Sequence, residues 1–166
     1  EPRKDWLEFG GTIRSAVPFK ANLEAILDTA ARRGDPVMLF TFATHLSEDY
    51  SIEAFKNKRL DYANHSIPME VWGKPEHVMG AVALHNRVLV ETATRRANIL
   101  FVDQSSLIPK SAKFFDDPCH LTPAGSVKFV QNLLPVLLPL IEKRMAQGKS
   151  RPANRSPIFQ NEGDFK

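Results

Sequence analysis

Val37-Met-Leu-Phe-Thr-Phe-Ala43 is a continuous apolar run. A half-solvated strand would alternate apolar and polar residues; an unbroken run of this length reads as a strand buried on both faces, the pattern of a parallel sheet covered by helices. Asn98-Ile-Leu-Phe-Val-Asp103 repeats the pattern. Helical spacing brackets both runs. From about Pro18 to Arg33, Phe19, Leu23, Ile26, Leu27 and Ala30 recur on one face, and Gly34-Asp35-Pro36 closes that helix. From about Pro75 to Arg96 a second amphipathic helix carries Val78, Ala81, Val82, His85, Leu89 and Ala93 on one face. A last helix runs from about Pro123 to Met145, and its internal Pro135 and Pro139 are expected to bend or break it.

Between these elements, residues 1–16 carry Gly10-Gly11 and read as a connecting loop. Residues 44–74 form a long polar-aromatic segment with His45, Tyr50, Phe55, Tyr62, His65 and Trp72, a length that calls for short extra helices or a shaped binding site. Helix–strand alternation with apolar strands places the chain in the α/β class with a parallel sheet. Two strands make a narrow sheet, so the pattern predicts either a hidden strand in 1–16 or 44–74 or a sheet completed from outside the chain. Residues 1–146 read as one domain portion and 147–166, rich in Gly, Pro, Asn, Ser and charge, as a flexible C-terminal extension.

A net charge of +3 is too small to argue for nucleic acid, and no aromatic–basic pattern accompanies it. The one basic cluster, Lys143, Arg144, Lys149, Arg151 and Arg155, reads as a solvated tail. The single cysteine, Cys119, rules out an internal disulfide and reads as a small buried filler. No ligand set at recognisable spacing points to a metal, and no cofactor motif is present. The longest apolar run, Leu133–Ile141, is about half of what a bilayer span requires and contains two prolines, so no transmembrane segment is expected.

Chemistry concentrates in Phe115-Asp-Asp-Pro-Cys-His-Leu-Thr-Pro-Ala-Gly125. A carboxylate, Asp117, stands three residues before an imidazole, His120, and a helix opens behind them with Thr122 as N-cap and Pro123 at the first helical position. An acid that fixes the imidazole tautomer leaves the far ring nitrogen able to take a proton from a hydroxyl. The alternative is a loop pair with no catalytic role. Asp116 competes with Asp117 for that imidazole, and Asp103, at a strand end, is either structural or part of a cleft. His45, just after a strand, is a candidate substrate contact against the alternative of a loop histidine. Trp72 is a candidate pocket wall against the alternative of an aromatic covering the core. His85, on the apolar face of its helix, reads as a core residue.

The block Asp117-Pro-Cys-His-Leu-Thr-Pro-Ala-Gly125 resembles the last conserved block of the SGNH/GDSL hydrolases, Asp-x-x-His followed by Leu-Thr/Ser-x-x-Gly. Asn22-Leu-Glu-Ala-Ile, His85-Asn86 and Ile99-Leu-Phe-Val-Asp103 resemble the framing of that family's penultimate and last strands, over about residues 15–145. The resemblance implies a three-layer α/β/α flavodoxin-like fold of which this chain holds the C-terminal part. It implies serine acyl transfer on a small acyl ester, without cofactor, with His120 as general base and Asp117 as its orienting acid. The family's Gly-Asp-Ser nucleophile block and Gly-x-Asn-Asp oxyanion block have no counterpart here. Gly34-Asp35 is followed by Pro36 and precedes a strand, and no serine is assigned as nucleophile. The expectation is therefore that an N-terminal half or a companion chain supplies both blocks and completes the sheet. The alternatives are a non-catalytic SGNH-like module and an unrelated flavodoxin-like binding domain. Acylated sugars and lipid esters fit the aromatic and histidine content alike.

Overall fold

The computed structural model describes residues 12–146. Helix α1 (Ala16–Arg33) leads through a left-handed Gly34, φ 66°, into β1 (Val37–Phe40). The Gly34 N–H closes on the Ala31 carbonyl at 3.1 Å, the turn that the Gly-Asp-Pro sequence predicts. After β1 come α2 (Ile52–Lys56), a single 3-10 turn at Met69–Val71, α3 (Pro75–Arg95) and β2 (Ile99–Val102). The short α4 (Gln104–Leu107) and the long α5 (Pro123–Ala146) complete the order.

The class is mixed α/β with a two-stranded parallel sheet. β1 and β2 pair in register from Val37↔Ile99 to Phe40↔Val102. The segment 44–74 carries the extra short helices its length called for and adds no strand. Helices lie on both faces of the pair. Val37, Leu39 and Ile99 pack with Leu23 and Leu27 of α1 and Val88 of α3. Alternation turns Phe40 to the other face, where its ring meets Phe129 of α5 edge-on at 5.1 Å.

Two expectations about β1 are corrected. The strand ends at Phe40 rather than Ala43, because β2 ends at Val102 and Asp103 turns into the N-cap of α4. The last rung is Thr41 N–H to Val102 O at 3.3 Å. Nor is the strand buried on both faces: Phe40 is 43% exposed, and no residue of β1 is fully buried. Successive N–H groups of a strand point to opposite edges, so Phe42 N–H faces away from β2. There the Asn86 side chain of α3 meets it, accepting from Phe42 N–H at 2.8 Å and donating to Phe42 O at 2.9 Å. An amide side chain thus stands where a neighbouring strand would otherwise pair.

Of the bend or break expected of the last helix, the break does not occur: α5 runs on through Pro135 and Pro139. Each proline removes the bond to a carbonyl four residues back, those of Gln131 and Pro135. Gln131, Pro135 and Pro139 all lie on the exposed side, where solvent can bond the freed carbonyls. The helix is tied to β2 and α4 through Gln104, whose Nε2 donates to Phe129 O at 3.0 Å and whose Oε1 accepts from Asn132 at 2.9 Å. By length and composition alone, α5 is apolar enough to cross a membrane, with a mean hydropathy of 1.4 over its most apolar window. The run Leu133–Ile141 by itself had been too short for that reading.

Candidate active site

A second core forms behind the Asp-x-x-His turn: Phe55, Leu60, Tyr62, Ile108 and Phe115, with Phe115 fully buried. The chain enters and leaves the turn through an antiparallel bridge, Phe115↔Leu121, closed by Asp116 N–H to His120 O at 2.9 Å. Downstream, Thr122 caps α5 as its sequence predicts. Its Oγ1 accepts from Gly125 N–H at 3.0 Å and donates to Lys113 O at 2.6 Å, while its N–H reaches Phe114 O at 3.1 Å. The five-residue loop is therefore pinned at its neck and at the helix it opens.

Inside the loop Asp117 has no solvent exposure. Its Oδ1 accepts the backbone N–H groups of Cys119 at 3.0 Å and His120 at 2.9 Å, which folds the loop back on the carboxylate. His120 Nδ1 lies 2.9 Å from Oδ1 and 2.8 Å from Oδ2. An ionised carboxylate only accepts, so the contact places the ring proton on Nδ1 and the lone pair on Nε2. The His120 side chain is 52% exposed, and Nε2 carries no hydrogen bond to any described residue. A buried acid thus orients an exposed imidazole. Asp116, the competing carboxylate, is taken up by the Asn64 amide, and its carbonyl accepts the N–H groups of Asn64 and His65.

Of the residues singled out in the sequence, the structure brings Asp117, His120 and Trp72 together. Trp72, 47% exposed, stands with its ring centroid 6.4 Å from that of His120. His45 lies elsewhere. It is buried among Tyr62 and Phe115, at 5.1 and 5.6 Å between ring centroids, and lines neither cavity described below. Its N–H donates to Pro118 O at 2.9 Å and its carbonyl accepts the Tyr62 hydroxyl at 2.7 Å. His45 therefore braces the loop from behind, a role sequence position did not reveal. Asp103 is a joint between strands and helix. Its oxygens accept the hydroxyls of Thr41 and Ser106, both at 2.6 Å. Burial pushes its carboxyl up, but these bonds together hold it below its ordinary value. His85 shares its Nε2 with Ser15 Oγ at 3.1 Å.

Burial pushes the His45 imidazole below its ordinary value, a shift that hydrogen bonding and charge attraction to Asp61 offset in part and Lys110 reinforces. Its Nε2 is buried without a partner among the described residues, so a proton there is poorly received. Below the ordinary histidine value of about 6.5 the unfolded chain takes up a proton that the folded chain refuses. Stability is accordingly expected to be full above pH ~6.5 and to decline as pH falls from there toward the lowered folded value. Thermal melts between pH 8 and 5 check this, with a His45→Phe variant expected to show a shallower decline than the parent protein.

Cys119 is half-buried rather than enclosed, and its Sγ lies 3.5 Å from His120 Nδ1. The donors of Asp117, Cys119 and His120 all fall within 4.8 Å of one another, a grouping that could hold a metal ion and that sequence spacing had not singled out. In the structure Nδ1 and both carboxylate oxygens engage each other, and burial followed by the negative charge of Asp117 pushes the Cys119 thiol up to about 12. A thiol so held is protonated at neutral pH, which disfavours it as a nucleophile. Alkylation by iodoacetamide at pH 7 should leave Cys119 unmodified in the folded protein and label it fully in denaturant, as read by intact mass.

Two cavities flank the loop. The larger, about 470 Å³, curves around the outer edge of β1, with Phe19, His85 and Leu89 on one side of the sheet and Phe129 on the other. The smaller, about 280 Å³, lies between the end of β1, the 3-10 turn and α3. They share Phe42, Val82 and Cys119. Among the described residues no serine or threonine hydroxyl is hydrogen-bonded to His120. Comparison with protein-family models, with curated proteins and with solved structures returned no match.

Proposed function

We propose that this chain carries the histidine and aspartate of a serine ester hydrolase of SGNH/GDSL type, built on a three-layer α/β/α flavodoxin-like fold. The observation that carries the reading is the pairing of a fully buried Asp117 with both oxygens at His120 Nδ1, in a side chain that is half exposed and whose Nε2 is bonded to no described residue. Helices on both faces of the parallel pair support the fold.

In this reading Nε2 takes the proton of a hydroxyl nucleophile as it attacks the ester carbonyl. Asp117 stabilises the imidazolium, and His120 then passes the proton to the departing alcohol. Water repeats the sequence on the acyl-enzyme. The nucleophile and the oxyanion donors arrive on a polypeptide segment that pairs with the outer edge of β1. The larger cavity wraps that edge with apolar groups from both sheet faces, and Asn86 closes it at Phe42. Seated there, the segment ends beside Cys119 and His120.

A second reading, a binding module of the same fold, is favoured by the lack of a hydroxyl bonded to His120 among the described residues. Fluorophosphonate labelling of the natural protein carrying these residues separates the two. Labelling on one serine, abolished by His120→Ala, is the expected result. An unlabelled protein that turns over no ester would leave the binding module.

A further inference from the structure

We propose that the smaller cavity is an acyl-chain site, and that it sets the substrate class as esters of medium-length unbranched acids rather than acylated sugars presented through their hydroxyls. The inference rests on the hydrolase reading for its chemistry but not for its binding. The cavity is walled by Phe42, two residues past the end of β1, by Met69 of the 3-10 turn and Trp72 that caps it, and by Val78 and Val82 of α3. Its polar groups are the buried Thr44 and the protonated Cys119 thiol. Sugar hydroxyls placed there would lose their bonds to water and find almost none in return, whereas methylenes would only gain.

Position ties the cavity to the reacting end. Cys119, one of its lining residues, is bonded in sequence to His120, and Trp72, another, stands 6.4 Å from the His120 ring. An ester carbonyl beside Nε2 can therefore send its acyl tail past Trp72 and against Val78. Met69 is 1% exposed and also lines the cavity, an unbranched side chain able to adjust to chains of different length. With a methylene taken as roughly the size of a water, about 30 Å³, a space of about 280 Å³ holds on the order of eight carbons.

The test is a chain-length series. Against p-nitrophenyl esters from acetyl to dodecanoyl, the natural protein is expected to gain about fourfold in kcat/KM per methylene up to roughly octanoyl and to fall beyond it. Val78→Phe narrows the smaller cavity without reaching the larger, and is expected to lower the octanoyl-to-acetyl ratio about thirtyfold. Independently of turnover, octanamide should quench or shift Trp72 fluorescence saturably in a Trp6→Phe background, and acetamide should not. Hydrolysis with a flat series, or a ratio unmoved by Val78→Phe, overturns the acyl-chain site while leaving the hydrolase intact. Saturable octanamide binding in a protein that hydrolyses nothing keeps the site and removes the hydrolase. Absence of both turnover and octanamide binding removes both.

Discussion

Replacing His120 by alanine in the natural protein is expected to cut kcat/KM for ester hydrolysis by about a thousandfold or more, with little change in melting temperature. General-base transfer contributes on the order of 10²–10⁴ in rate, and Nε2 of this ring is the nitrogen that no described residue bonds. The side chain is half exposed, so its removal leaves no core cavity. Asp117→Asn probes the other half. An amide can donate to Nδ1 and so favour the tautomer with its proton on Nε2, where it blocks proton uptake; a loss of about 10³–10⁴ in kcat is expected. Asparagine is the better test than alanine, because Asp117 Oδ1 also holds the N–H groups of Cys119 and His120, and alanine would strand both in a buried loop. Steady-state kinetics on one activated ester, with melts run in parallel, reads both variants. A fall of less than tenfold for His120→Ala would remove this ring from the chemistry and return the turn to a structural loop.

The sequence carried the helices and the strand positions well because both depend on local pattern. Apolar residues at helical spacing gave α1 and α3 to within about two residues at each end, and Gly34 and Thr122 marked a stop and a start that the backbone adopts. The extent of β1 was misjudged for a non-local reason: a strand is only as long as its partner, and β2 stops where Asp103 begins α4. The depth of β1's burial likewise depends on neighbours that no local window contains. At the site, Asp-x-x-His spacing was enough to pair the two groups, since three residues place the carboxylate under the ring. The placement of His45 was left open because a position after a strand says nothing about which way the ring turns; its aromatic neighbours Tyr62 and Phe115 come from 17 and 70 residues away. Asn86 offered a readable signal that went unused, a polar amide on the sheet-facing side of an amphipathic helix, where it has to find a main-chain partner.

Gly125→Ala is expected to be the most damaging single methyl in the described chain. Gly125 is buried in the first turn of α5, and a Cβ built there falls on the Phe114 carbonyl oxygen, with Leu121 Cβ a further 3.1 Å contact. The obstruction is backbone, so no rotamer change relieves it; the helix start and the 114–115 chain have to separate. Phe114 O is the acceptor of Thr122 N–H, and Phe115 is one side of the bridge that closes the loop. Separation therefore opens the neck that holds Asp117 under His120, so stability is expected to fall and, in the proposed hydrolase, ester turnover with it. Overpacking of this kind costs about 3 kcal/mol, which lowers the melting temperature by roughly 6–12 °C in a chain of this size. Gly80→Ala provides the contrast. It sits within α3, where among the described residues only Ile13 Cδ1 comes near, at 3.8 Å, an ordinary contact, so the gain in helix propensity of about 0.5–1 kcal/mol is expected to be realised and the melting temperature to rise by a few degrees. Calorimetry on the two variants beside the parent protein decides it. Equal tolerance of alanine at 80 and 125 would mean that α5 is not seated against Phe114, and the geometry that orients His120 would lose its support.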